Sequence, residues 1–229
     1  MCGRYVMFGP ESRYREHFGA LAGFDFKARF NVAPTQLLPV VRRNTDGTRD
    51  LVPARWGLIP SWVKDPKTLN QPINAKSETA AIKPMFRHAF RKNRILVPAD
   101  GFYEWKAVAG GKQPYLIRMR DALPFGIAGL MEYWHGPNGE VQTFALLTTE
   151  PNKMMAEIHN RMPAIIHPEV YTAWLDPEVS DVEVLQGMLA PYPERLMEAY
   201  PVSKKVNSPA NDGPELVERV EVMAPGSCI

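Results

Sequence analysis

Through the middle of the chain, apolar and polar positions alternate in short runs separated by turn residues. Residues 95–99, 100–106, 113–120, 125–134 and 141–149 each read as a strand. Gly110-Gly111 and Gly136-Pro137-Asn138-Gly139 supply the turns that fold neighbouring runs back as hairpins. Upstream, residues 37–42 and 51–58 form a further hairpin around Asn44-Thr45-Asp46-Gly47. Strands that follow one another as hairpins pair antiparallel, and no alternating βαβ register is present. The pattern therefore predicts an α+β fold: a β-rich, barrel-like antiparallel core, or a pair of packed sheets, with short helices at its periphery.

Helical spacing is confined to short segments. Residues 10–21 open with Pro10 and an acidic first turn; residues 151–158, 168–175 and 182–189 are the other short helices. Ser77 reads as an N-cap for a helix running into residues 83–94, with Asn74 in a loop just ahead of it. Residues 29–36 read as a turn-rich element leading into the strand at 37. From about residue 207 the chain reads as a loop-like tail, poorly ordered from Glu221 on.

At 229 residues, with 45% hydrophobic and 23% charged side chains, the sequence suits one globular domain over 1–229 rather than a disordered chain. It carries neither an apolar run of membrane-spanning length nor a secretory leader, which points to a cytoplasmic protein. Cys2 and Cys228 are its only cysteines. They are read as free thiols, since two cysteines at the chain ends make no disulfide framework and cannot supply a four-thiolate metal site. No Gly-rich phosphate loop, His-Glu-x-x-His or Gly-x-Ser-x-Gly motif occurs, so nothing asks for a metal or an organic cofactor. The net charge of +2 is uninformative, but Lys83, Arg87, His88, Arg91, Lys92 and Arg94 are interleaved with Met85, Phe86 and Phe90. Such a segment is either a solvated face or a nucleic-acid contact.

The candidate chemistry begins at Met1-Cys2-Gly3-Arg4. Removal of Met1 would leave Cys2 with an α-amine and a thiol on adjacent carbons, titrating near about 8 and about 8.5. An aldehyde can condense with such an amine to an imine, and the thiol can close on the imine carbon to give a thiazolidine; an amide would instead be attacked by the thiol. The alternative is that Cys2 is an accident of the start site. Glu104 lies between aromatic residues, sharing a strand face with Phe102 and Lys106 while Tyr103 and Trp105 face the other way. A carboxyl so placed has a raised pKa suited to acid or base work, unless it is paired to an arginine at a strand edge. His159, in His159-Asn160-Arg161-Met162-Pro163, stands at a helix-to-strand junction from which a side chain can enter a cleft, or it is structural. Trp56 and Trp62 are either core anchors or platforms on which bases stack.

In order, Met1-Cys2-Gly3-Arg4, Asn31-Val32-Ala33-Pro34-Thr35, Trp56-Gly57-Leu58-Ile59-Pro60, Asn74-Ala75-Lys76-Ser77-Glu78-Thr79, Asp100-Gly101-Phe102-Tyr103-Glu104-Trp105 and His159-Asn160-Arg161-Met162-Pro163 closely resemble the SRAP family. This is the SOS response-associated peptidase domain, whose members act as abasic-site processing proteins. The resemblance runs from Cys2 to about Val206. It implies a barrel-like fold, a positive groove for single-stranded DNA, and a thiazolidine crosslink between the amino-terminal cysteine and the aldehyde of an abasic site. Cys2 matches the nucleophile, Asn74 the residue that positions it, Glu104 the acid/base that opens the sugar and His159 the partner in proton transfer. Arg4, Lys76 and Arg161 match phosphate-contacting positions, and Pro34 and Trp62 lie in motifs that flank the lesion. Lys76 stands where an arginine is also found, which keeps the charge but loses the bidentate fork.

The resemblance implies single-stranded DNA with abasic sites as the partner, with the protein at the nucleoid when bound; the lack of a membrane-length apolar run points away from membrane contact, and nothing in the sequence demands more than a monomer. Two other readings stay beside it. One is a thiol peptidase or amidase using Cys2, on amides generally or only on its own Met1. The other is a non-covalent single-strand binding module.

Overall fold

The computed structural model describes residues 2–221. Met1 and the last eight positions, Cys228 among them, lie outside the described residues, and with them the expectations of leader removal, of a free Cys228 thiol and of disorder beyond Glu221.

The chain begins with β1 (Tyr5–Met7), α1 (Glu11–Phe18), β2 (Ala20–Ala22), β3 (Arg29–Val32), β4 (Leu37–Arg43) and β5 (Arg49–Trp56). Next come β6 (Asn74–Lys76), α2 (Ser77–Ala80), α3 (Arg87–Lys92), β7 (Arg94–Ala99), β8 (Gly101–Val108) and β9 (Gly111–Met119). Then follow β10 (Phe125–Gly136), β11 (Gly139–Thr149), α4 (Lys153–Ala156), β12 (Met162–Pro163), β13 (Ile165–Ile166), α5 (Tyr171–Leu175), α6 (Val182–Gly187) and β14 (Met197–Pro201). The expected hairpins are present, with Asn44 closing on Thr48, Val108 opposite Gly111 and Gly136 opposite Gly139.

Strands β5, β4, β7, β10 and β11 pair antiparallel in that order, and β11 returns to pair with β5. The result is a closed five-stranded barrel, which leaves these strands no open edge along the seam. The expected core is thus a barrel rather than two packed sheets, but it is not antiparallel throughout. The closing pair, Thr143 with Arg55 and Phe144 with Trp56, runs parallel. Just past it Gly57, at φ 127°, bends the chain away while its N–H still donates to the Phe144 carbonyl at 2.9 Å. Trp56 is fully buried beneath this seam, stacked on Phe144 and tilted against Tyr5, with its Nε1 donating to the Ile73 carbonyl at 2.8 Å.

A second sheet, in the order β14-β9-β8-β1-β3, covers one side of the barrel. Its period-two alternation divides the apolar residues between two cores. Tyr5, Met7, Phe102 and Ile117 join the barrel core, whereas Val6, Tyr103, Leu116 and Tyr200 form a smaller cluster with Val202, Val206 and Leu216. The tail thus packs against the outer face of the sheet. Asp212 accepts from the backbone N–H groups of Phe30 and Asn31 and pairs with Arg29. Buried Asn31 donates from its amide to the carbonyls of Val206, Ser208 and Asn211.

Four local expectations change. The helix expected over 10–21 ends at Phe18, because Gly19 takes φ 61° and turns its N–H back on Arg15 and Glu16; residues 20–22 then leave as β2, parallel to β5. Residues 29–32 are strand rather than turn, paired with β1. Ser77 is the first helical residue rather than the cap, and its helix stops at Ala80 because Pro84 interrupts the run before α3. Asn74 begins a strand rather than sitting in a loop, since β6 pairs parallel with Leu146, Leu147 and Thr148.

Candidate functional site

The carboxy-terminal end of β11 organises the site. There β6 lies along one edge of the strand and β12 along the other, so Asn74 and the chain leaving His159 are brought to one end of the barrel. The second sheet supplies the opposite wall. Strand β1 pairs antiparallel with β8, Tyr5 opposite Phe102, and the Tyr103 N–H donates to the Arg4 carbonyl at 3.0 Å. Continued past Arg4, that register brings Cys2 and Gly3 alongside Glu104 and Trp105. Because Phe102 faces the barrel core, Glu104 two residues on faces it too, as the alternation predicts.

Cys2 is fully buried. Its Sγ lies 3.8 Å from the Arg4 carbonyl oxygen, and its own carbonyl accepts from Asn74 Nδ2 at 2.8 Å. Burial pushes the Cys2 thiol well above its usual range, and the charge of Glu104 pushes it further. These surroundings favour the thiol over the thiolate.

Glu104 is 2% exposed and lies in the body of β8, paired between β1 and β9 rather than bonded to an arginine at an edge. Burial raises its pKa, opposed in part by His159, whose Nε2 lies 4.0 Å from Oε2. The backbone N–H of Arg161 donates to His159 Nδ1 at 3.0 Å, so in the neutral ring Nε2 carries the proton and presents it toward Glu104. The Arg161 carbonyl also lies close, 3.2 Å from Nδ1, but the shorter contact is the one from its N–H.

The positions expected to contact DNA have different surroundings. Arg4 donates to Asn31 Oδ1 at 2.9 Å and to the Val206 carbonyl at 3.0 Å, and has no carboxylate partner among the described residues. Lys76 is exposed at the end of β6, Pro34 is half-buried, and Trp62 is 63% exposed. The two tryptophans thus divide between the two readings, Trp56 as core anchor and Trp62 at the surface. Arg161 is engaged by Glu78 and by the Thr148 carbonyl. In the basic segment, Lys83, Arg87 and Arg91 are exposed, whereas Arg94 is buried. Arg94 caps the ends of α3 and α5 by donating to the carbonyls of Phe90, Arg91, Trp174 and Val179. It is a structural residue, and desolvation lowers its pKa to about 10.

Sequence reasoning passed over Glu78, Thr148 and the bridging role of Asn31. Glu78 and Asn31 lay inside quoted motifs, but their partners at Arg161 and at 206–211 are too distant along the chain for any periodicity to signal.

A family model described as SOS response associated peptidase (SRAP) matches residues 1–209. The Bacillus subtilis abasic site processing protein YoqW is 41% identical over 223 residues, covering 95% of this chain and 99% of that protein. The Escherichia coli abasic site processing protein YedK is 31% identical over 232 residues, covering 96% and 100%. The chicken abasic site processing protein HMCES is 32% identical over 232 residues, covering 87% and 68%. A crystal structure of a Bacteroides thetaiotaomicron protein superposes with a TM-score of 0.86 at 28% identity, covering 96% of this chain and all of that one.

Proposed function

The chain belongs to the SOS response-associated peptidase family, and from that premise we propose that it processes abasic sites in DNA by crosslinking Cys2 to the ring-opened sugar. The observation that carries the reading is the convergence on Cys2. Asn74 holds its carbonyl at 2.8 Å, and the buried Glu104 stands beside it with His159 at 4.0 Å. The names of the relatives support abasic-site processing; the aminothiol chemistry of Cys2 as the amino terminus supplies the mechanism.

Removal of Met1 frees the Cys2 amine. An abasic deoxyribose is mostly a cyclic hemiacetal, so its anomeric hydroxyl must lose a proton and its ring oxygen gain one before the aldehyde appears. Glu104, protonated more readily than an ordinary carboxyl, is suited to that exchange. The amine adds to the aldehyde carbon, and the hydroxyl of the adduct leaves as water with a proton supplied by the Glu104–His159 pair, which recovers one from the nitrogen as the imine forms. The Cys2 sulfur then bonds to the imine carbon, its proton passing by way of Glu104 to the former imine nitrogen. Aldehyde and aminothiol thus give thiazolidine and one water, with no change in oxidation state.

Arg4 and the exposed Lys76 supply positive charge for the backbone of single-stranded DNA, Arg161 adds a third cation, and Pro34 and Trp62 flank the lesion. The protein acts in the cytoplasm, as a monomer. The deciding experiment incubates it with single-stranded DNA carrying one abasic site and reads denaturing gels and intact mass. A covalent adduct at the mass of protein plus DNA less water is expected, lost in Cys2→Ala. No adduct, or one that survives Cys2→Ala, overturns the reading; cleavage of added peptides by the wild type alone would favour a thiol peptidase.

A further inference from the structure

The barrel side of the site is built from two chain segments. One is β6 with α2, which carries Asn74; the other runs from His159 to β12. They are joined by an ion pair. Arg161 Nη1 donates to Glu78 Oε1 at 2.6 Å and Nη2 to Glu78 Oε2 at 3.0 Å, a bidentate fork, and Nη2 also donates to the Thr148 carbonyl at 2.6 Å. The Arg161 side chain is only 13% exposed. The guanidinium is therefore locked between α2 and the end of β11.

That lock sits two residues from the acid/base pair. The same Arg161 presents its backbone N–H to His159 Nδ1 at 3.0 Å and its carbonyl at 3.2 Å. The shorter of the two, from the N–H, makes Nδ1 an acceptor, so that Nε2 carries the proton and is held toward Glu104. We propose that Glu78 is a positioning residue of this site, clamping Arg161 so that the Arg161 peptide fixes the tautomer and orientation of His159. The role in catalysis rests on the crosslinking reading; the geometric claim does not.

An exposed ion pair alone contributes little. This one differs in its bidentate geometry, in the low exposure of Arg161 and in its third anchor at Thr148. It also neutralises a cation otherwise open to phosphate, which sets up a rival role: Glu78 as a gate on DNA binding, with no hold on His159.

The test compares wild type, Glu78→Ala and Glu78→Gln in the full chain after Met1 removal. The first readout is the ¹⁵N spectrum of the His159 ring in DNA-free protein at alkaline pH. Wild type should show Nδ1 as acceptor and Nε2 protonated, and Glu78→Ala should show averaging between tautomers. An unchanged ring spectrum overturns the proposal, and because no DNA is present that failure is separate from a failure of the crosslinking reading. The second readout is the crosslinking rate at saturating abasic DNA. Glu78→Ala should lose about 10- to 100-fold with a displaced pH profile, and Glu78→Gln, which keeps one acceptor oxygen and the side-chain volume, should fall between. Rates within two-fold of wild type for both variants, or altered DNA affinity with an unchanged maximal rate and pH profile, overturn it in favour of the gate. Should Glu78→Ala fail to fold, Glu78→Gln decides alone: an unchanged spectrum and pH profile overturns the claim.

Discussion

Asn74 grips Cys2 by its backbone: the amide donates to the Cys2 carbonyl oxygen at 2.8 Å and makes no bond to the sulfur. A nucleophile held this way keeps its thiol available while its position is fixed from β6, which is itself paired to β11. Asn74→Ala removes the hold, and the crosslinking rate should fall about 10- to 100-fold, the usual cost of slight misplacement. Stability should fall by about 1 kcal/mol for the lost hydrogen bond. Asn74→Asp turns an acceptor toward the Cys2 carbonyl oxygen and should be slower still. Single-turnover kinetics check this, and rates for the Ala and Asp variants equal to wild type would show that the hydrogen bond is immaterial.

The buried carboxyl of Glu104 links activity to stability. Its folded-state pKa lies above the ordinary value of 4.5. Between the two values the folded protein therefore binds more protons than the unfolded chain. Its contribution to stability is most favourable below about pH 4.5 and declines as pH rises through the folded pKa. Glu104→Gln removes that decline. Relative to the variant, the wild-type melting temperature should fall as pH rises from 4.5, while the variant loses crosslinking and retains binding of undamaged DNA. Parallel melting profiles for the two proteins would remove burial as the cause of the shift.

The contrast between these two residues marks what the sequence made legible. The side on which Glu104 lies follows from the two-residue period of β8, and Phe102 in the barrel core with Tyr103 in the outer cluster bears it out. The hairpins likewise declared themselves through their turn residues. Asn74 was expected in a loop because a three-residue strand has no period to read, and its partner β11 is far along the chain. The parallel seam between β5 and β11 was invisible for the same reason. In the tail, order comes from Asp212 and Asn31 bonding backbone groups, which leaves no apolar pattern. The clamp between Glu78 and Arg161 spans 83 positions and rests on charge geometry alone.

The two tryptophans give opposite outcomes. Trp56 is fully buried, stacked on Phe144 and bonded to the Ile73 carbonyl, so Trp56→Ala should cost about 3–5 kcal/mol and abolish or severely weaken folding. Trp62 is 63% exposed, so Trp62→Ala should change stability by no more than about 0.5 kcal/mol. If a base stacks on it, single-strand affinity falls by about 1–3 kcal/mol. Chemical denaturation and fluorescence-anisotropy titration separate the two, and unchanged affinity in Trp62→Ala would take this indole out of the DNA set.

Thr35 carries a strain that can be relieved. It adopts φ 74°, a left-handed conformation costing an L residue roughly 1–2 kcal/mol, and its β-branched side chain makes it an unusual occupant. The conformation is held from outside: the Thr35 N–H donates to the Trp56 carbonyl at 2.8 Å, and the Trp56 N–H donates to the Gln36 carbonyl at 3.0 Å. Asparagine tolerates this region better and brings no added backbone entropy, so Thr35→Asn should stabilise by about 0.5–1 kcal/mol, seen as a rise of about 1–4 °C in melting temperature. Thr35→Gly relieves the same strain but loses about 0.5–1 kcal/mol through the freer unfolded chain, so its gain should be smaller. The ranking is the informative result. If Asn exceeds Gly and both match or exceed Thr, the exposed threonine side chain contributes less than its backbone costs. A drop in melting temperature for Thr35→Asn would show instead that the side chain, beside Pro34 in the motif expected to flank the lesion, makes a contribution larger than the strain it imposes.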